Sequence, residues 1–339
     1  MKLISSPYLH QPVSIARLMR RVCLALVPGI VVFTWLIGPA LLVQLLVASI
    51  VALGAEGLLL KLRGRPVQPF LSDGSALVTA WLIALTFPPL SPWWLTTVGV
   101  LLAIVVAKQL YGGLGQNPFN PAMVAFTGCL IAFPALMSQW PTQGLSFSFA
   151  DQLEVIFGFA PRLDALTGAT PLDAIKTAMK TEAFASIQEL LISQHLYGIF
   201  AGRGWEWVSA AYLAGGAFLL YKRVITWHVP AAFLLCMGGL SALFWLYDPA
   251  HYADPVFHLF SGGAMLGAFF IATDPVSGCT TPRGKLIFGA GAGVLSYLIR
   301  VFGVFPDGIG FAILIMNLCA PMIDHFSQPA VFGSKGERA

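Results

Sequence analysis

Hydrophobic positions in this chain fall in long runs that approach the ~20 residues needed to cross a ~30 Å hydrocarbon core as a helix. Ten runs predict ten helices, at about 22 to 38, 40 to 60, 74 to 87, 93 to 108, 121 to 137, 206 to 221, 229 to 247, 256 to 272, 285 to 302 and 308 to 323. Inside a bilayer every backbone polar group must find its partner within the protein, and a helix does so within its own segment. The period-two alternation of a β-barrel is absent. The expected fold class is an all-α polytopic membrane protein.

Composition supports this class, since 57% of the 339 residues are hydrophobic and only 10% are charged. Charge placement adds an orientation. Arg17, Arg20, Arg21, Lys61, Arg63, Arg65, Lys108, Lys222, Arg223, Arg283, Lys285, Lys335 and Arg338 lie at the N-terminus, at alternate loops or at the C-terminus. By the positive-inside rule these are cytoplasmic, and Arg300 alone sits near an outward helix end. The 138–205 loop carries Arg162, Lys176, Lys180 and Arg203, but a loop this long is weakly constrained by the rule. Alternation of the spans makes it extracytoplasmic. The expectation is a multi-pass membrane protein with both termini cytoplasmic and loop 138–205 extracytoplasmic. Its first span follows three arginines without a cleavage site and is read as uncleaved. The net charge of +4 fits loops facing anionic lipid, and no basic patch with interleaved aromatics points to nucleic acid. Cys23, Cys129, Cys236, Cys279 and Cys319 are scattered singly, without iron–sulfur or zinc spacing, so no metal site is expected.

Two halves align. Ala76–Ala84 matches Ala264–Ala272, Lys108 corresponds to Arg300, and Asn120-Pro121-Ala122-Met123 resembles Asn317-Leu318-Cys319-Ala320-Pro321-Met322. Five helices per half is an odd number, so the repeats are inverted in the membrane, an arrangement that places polar broken-helix sites at their interface. Chance likeness between apolar segments is the competing account. The domains expected are 1–137 for the N-terminal segment and first half, 138–205 for the extracytoplasmic loop, 206–323 for the second half and 324–339 for the tail.

Polar breaks mark candidate chemistry. Tyr111–Pro121 holds three glycines, two prolines and three amides, and Thr273-Asp274-Pro275 ends the eighth span. Asn117 and Asn120 are placed to read the imide edge of a flat heterocycle, or simply to cap the helix that follows. Glu56 is the most embedded carboxylate, and for it and the aspartates at helix ends the expected explanation is snorkelling or local ion pairing with Lys61, Arg63 or Lys285 rather than an ion pathway. Asp73, Asp274 and Asp324 cluster at inner helix ends. No chain of carboxylates crosses the bilayer. In the long loop, Thr170-Pro171-Leu172-Asp173 is a helix start, with threonine at the cap, proline at the first position and a carboxylate at the third. The Thr170 hydroxyl therefore sits at a positive helix end, a setting that would suit a phosphoester, although the residues alone favour a plain cap.

Asp164-Ala165-Leu166-Thr167-Gly168-Ala169-Thr170 resembles the flavinylation motif Asp-x-x-(Ser/Thr)-Gly-Ala-(Thr/Ser). Together with Gly115–Met123, Ser72–Trp81, Thr273-Asp274-Pro275 and Ser6-Pro7-Tyr8, it makes the whole chain resemble the NqrB/RnfD family, on the side of the RnfD-type component of the Rnf/Rsx ion-translocating electron transport complexes. The NqrB-type component of the sodium-translocating NADH:quinone reductase is a relative with a longer N-terminal extension. The resemblance implies FMN bound covalently through its phosphate to Thr170, with Asp164, Thr167, Gly168 and Ala169 forming the pattern read by an extracytoplasmic flavin transferase. It also implies a noncovalent riboflavin, for which Asn117 and Asn120 are the candidate contacts. The implied partners are Rnf/Rsx subunits A, B, C, E and G. The implied role is electron relay between the NADH or ferredoxin side and other subunits, coupled to Na⁺ or H⁺ translocation, with no complete catalytic site in this chain alone. A small-solute transporter or channel with inverted repeats and no flavin is the alternative.

Overall fold

The computed structural model describes residues 14–141, 148–158, 167–181, 186–193, 195–305 and 307–328. The first half comprises α1 (Ile15–Ile37), α2 (Ala40–Leu62), the short α3 (Val67–Leu71), α4 (Ser75–Thr86), α5 (Trp93–Leu101) continuing as a π-helical segment over Leu102–Gln109, α6 (Pro121–Ala132) and α7 (Pro134–Met137). Then come β1 (Trp140–Pro141), α8 (Phe149–Phe157), β2 (Thr167–Gly168), α9 (Pro171–Thr181) and α10 (Ile187–Ser193). The second half comprises α11 (Trp205–Tyr221), α12 (His228–Tyr247), α13 (Pro255–Phe260), α14 (Ala264–Leu266) continuing as a π-helical segment over Gly267–Ile271, α15 (Pro282–Phe302) and α16 (Ile309–Ser327).

Each of the ten expected spans contains helix. Two differ from a single rod. The 121–137 run breaks between α6 and α7, where Pro134 disfavours helix at Phe133. The 256–272 run breaks between α13 and α14, where Gly262 adopts φ +69°. Among the described residues α1, α2, α12, α15 and α16 are long and apolar enough to cross a membrane by length and composition. Ser75–Thr86, Trp93–Gln109 and Pro121–Ala132 are shorter apolar helices. Large apolar side chains such as Trp35, Leu46, Leu235 and Leu318 point outward from α1, α2, α12 and α16, the inverse of a water-soluble surface.

The halves repeat one plan. A short helix, a glycine at positive φ and a second helix recur as α3–Gly74–α4 and α13–Gly262–α14, with φ of 78° and 69° at the two glycines. A buried cation then closes each set. Lys108 at the end of the π-helical continuation of α5 donates to Ser75 Oγ at the start of α4, 2.8 Å away. Arg300 in the last turn of α15 donates to the His258 carbonyl of α13. Glu56 pairs with Lys108 at 2.7 Å and not with the neighbouring Lys61 or Arg63 of the sequence expectation. The reason is burial. Lys108 is 2% exposed and meets the carboxylate inside the helix packing, whereas Arg63 turns to the Gln109 carbonyl. Asp73 and Asp274 serve their own turns, and Asp324 of α16 reaches the turn before α15. Asp73 accepts from Ser75 N, Asp274 from Ser277 Oγ and Asp324 from Thr280 N.

One core runs through both halves. They meet where α1 packs along α11 and α6 against α16. The backbones approach closely there: a side chain at Gly215 of α11 would strike the Ala25 carbonyl of α1. A smaller core, including Leu172, Ile175, Leu190 and Phe257, seats α9 and α10 on α13.

Candidate cofactor site

The described part of the long loop is placed by three local devices. β1 and β2 pair antiparallel with Trp140 opposite Gly168 and Pro141 opposite Thr167, which lays the second half of the motif beside α7. Glu206, buried at the start of α11, accepts from the amides of Ile199, Phe200 and Ala201 at 2.9–3.0 Å and fixes the approach to α11. Thr170 then caps α9. Its Oγ1 accepts from Asp173 N at 3.2 Å and donates to Asp173 Oδ2 at 2.6 Å, while its carbonyl accepts from Ala174 N at 2.9 Å. Pro171 brings the fixed φ of a first helical residue and no N–H of its own.

Charge around the hydroxyl is unusual for an exposed loop. Burial lifts the Asp173 carboxyl above its ordinary range, helped by the nearby Asp307 and opposed by its bonds to Thr170 and by Lys176. Asp307 accepts from Gly263 N at 2.8 Å and from Arg300 Nη2 at 3.2 Å.

Thr170 and Asp173 stand in the wall of a cavity that both halves build. Its sides come from Phe33, Thr86, Met123, Phe126, Leu130, Met137, Trp140, Trp205, Tyr212, Leu266, Phe305 and Ile309, among others. The space free of atoms is about 1180 Å³ with the open mouth included, and the centre of a water molecule can roam through about 160 Å³ of it. Trp205 is the pivot of its aromatic wall, meeting Trp140 edge-on at 5.2 Å and Phe33 edge-on at 5.8 Å between ring centroids. Such a wall offers faces and edges for a flat aromatic ligand. A planar ring tethered through a phosphate to Thr170 fits it: the anchor is in the wall, the lining is apolar and aromatic, and the helix start tolerates an anion.

The structure thus brings together Gly168, Ala169 and Thr170 of the expected motif, with Thr167 in β2. Asp164 lies outside the described residues. Asn117 and Asn120 are elsewhere and do not line this cavity. Asn117 Nδ2 donates to the Phe119 carbonyl at 3.0 Å. Asn120 caps α6, its Oδ1 accepting from Ala122 N and Met123 N, and its Nδ2 reaches the Ile271 carbonyl across the boundary between halves. Its own N–H donates to Asn317 Oδ1 at 3.0 Å. Both polar ends of Asn120 are engaged within the protein. Sequence reasoning missed Trp140, Trp205 and Asp307 as residues that line the same cavity as Thr170. They come from elements far apart in the chain, and nothing local in the sequence joins them.

A cavity lined from both halves of the chain, with a capped hydroxyl in its wall, thus sits inside an all-α polytopic membrane protein. Comparison with known proteins gives the family. The family described as NQR2, RnfD, RnfE matches residues 2–333. A protein of Yersinia pseudotuberculosis, named as the D-type subunit of an ion-translocating oxidoreductase complex, is 48% identical over 99% of both chains. Proteins of the same name from Alcanivorax borkumensis and Escherichia coli are 50% and 46% identical, over 99% and 98% of this chain and 98% and 99% of theirs. The chain belongs to the NQR2, RnfD, RnfE family.

Proposed function

We propose that this chain is the D-type membrane subunit of a redox-driven ion pump and carries FMN esterified to Thr170. The cavity wall is the observation that carries the proposal: the hydroxyl that completes the flavinylation-like motif stands at an aromatic recess of cofactor size. The full-length likeness to relatives named as subunits of an ion-translocating oxidoreductase complex supports the wider role. A flavin bound there supplies one- and two-electron carrier chemistry, which the protein tunes by position and surroundings.

The chain's own residues would hold and shield that group. Thr170 supplies the anchoring oxygen, and the positive end of the α9 dipole favours the phosphate's charge. Trp140, Trp205 and Phe33 exclude water from the ring side of the recess. Asp173 loses its hydrogen-bond donor when Oγ1 is esterified, so its carboxylate must turn from the new anion. Assembly with the other subunits of the complex and an extracytoplasmic position for the 138–205 loop belong to the same proposal. The orientation rests on the positive-inside pattern.

Coexpression with a flavin transferase and denaturing electrophoresis tests it. A fluorescent band under ultraviolet light in the wild type, absent in Thr170→Ala, is expected. A dark wild-type band removes the covalent-flavin reading and leaves only the family's wider role.

A further inference from the structure

Lys176 lies on the same helix as the candidate anchor, and the proposed cofactor role gives it no task. Its ammonium donates to three main-chain carbonyls: Phe305 at 2.6 Å, Arg300 at 2.9 Å and Ile299 at 3.3 Å. Ile299 and Arg300 belong to the last turn of α15, at the negative end of its dipole, where the Ile299 carbonyl also accepts from Gly303 N. Three rotatable N–H donors converging on three carbonyls suit an ammonium, whereas a planar guanidinium would reproduce part of the set.

The carbonyl of Arg300 thus holds α9, while its side chain holds the break in the second half. The guanidinium donates to the His258 carbonyl of α13 and to Asp307 Oδ1, and Asp307 Oδ2 accepts from Gly263 N on the other side of the break. A second route is pure packing. Leu172 of α9 sits so close to Gly262 that a methyl group there would collide with Leu172 and with Asp307. Two independent contacts therefore join the helix that begins at Thr170 to the Gly262–Gly263 break.

We propose that Lys176 is a positioning residue for whatever Thr170 carries, and that its clamp makes α9 and the α13–α14 break one mechanical unit. The identity of the carried group rests on the cofactor reading above. The clamp rests on contacts within this chain and is tested without the cofactor. A change in charge or position at the anchor then has a direct path to the α13–α14 break of the second half.

Hydrogen–deuterium exchange on the purified full chain, prepared without flavin transferase, reads the clamp. Lys176→Met is expected to speed exchange at least ~10-fold over residues 172–178 and also over 262–266, the scale of losing one charged hydrogen bond. Helices α2 and α4 should stay unchanged, and Lys176→Arg should recover part of the protection. Faster exchange confined to α9 overturns the mechanical unit, and no change in either segment overturns the clamp itself. Asp307→Asn approaches from the other end and serves if Lys176→Met does not accumulate. It should loosen 262–266 and α9 together, and loosening of 262–266 alone overturns the coupling. In flavin-loaded protein, Lys176→Met should keep its fluorescent band on a denaturing gel, while native flavin anisotropy falls and Lys176→Arg restores it. Unchanged anisotropy overturns the positioning role. An unlabelled wild type instead removes the cofactor reading and leaves the exchange result standing.

Discussion

Replacing Lys108 by methionine isolates the energetics of the buried pair in the first half. Lys108 Nζ lies 2.7 Å from Glu56 Oε1 and 2.8 Å from Ser75 Oγ, with the paired side chains 2% and 3% exposed. In Lys108→Met the carboxylate keeps only the Gln109 Nε2 bond at 2.8 Å, and its second oxygen has no partner even in the wild type. Removing one member of a buried pair strands the other charge at a cost of about 3–5 kcal/mol. At roughly 2–4 °C per kcal/mol for a chain of this order, the melting temperature should fall by ~10 °C. Lys108→Met combined with Glu56→Gln removes both charges, so the double variant should recover ~2 kcal/mol relative to the sum of the single changes. Thermal unfolding in detergent, followed by tryptophan emission, reads all three variants and the wild type. Strict additivity would refute the reasoning, because it would mean that the two groups do not depend on each other inside the helix packing.

Two further outcomes concern the long loop and the second half. Asp173 holds its proton more tightly folded than its ordinary 3.8 allows, because of burial. A raised carboxyl contributes stability that is full below its unfolded value and is lost as pH climbs through the folded one. Protection of α9 amides, corrected for intrinsic exchange, should therefore decline as pH rises above 3.8, and Asp173→Asn should flatten the profile; a rising wild-type profile rejects this. Gly262→Ala combines an unfavourable φ of +69° with contact against Leu172 and Asp307. It should cost ~1–3 kcal/mol or more and lower the detergent melting temperature, while Gly54→Ala, in open space on α2, should change little; equal effects at the two sites would contradict the packing argument.

The spans were legible because burial in a bilayer demands contiguous apolar runs, and that demand is local. The breaks were legible where proline or asparagine announced them: Asn120 caps α6 as one of the two sequence readings allowed. The π-helical segments over Leu102–Gln109 and Gly267–Ile271 carry no comparable mark. Partner choice was the weak point. Glu56 has basic residues five and seven positions away, yet its partner is Lys108, selected by how α2 meets the end of the α5 continuation. The candidate site shows the same division. Thr170 as a helix cap followed from four consecutive residues and is borne out by the Asp173 bonds. The cavity beside it depends on Phe33, Trp140, Trp205 and Ile309 arriving from separate elements, and no periodicity encodes that. Lys176 read as one more loop charge until its carbonyl partners at 299, 300 and 305 were in place.

The central claim concerns one oxygen atom. Fragmentation mass spectrometry of the loop peptide, from protein matured with a flavin transferase, should find the mass of FMN less one water on Thr170, and Thr170→Ala should yield only the bare peptide. An unmodified Thr170 in matured wild-type protein, or the same increment on Thr167, would contradict the account.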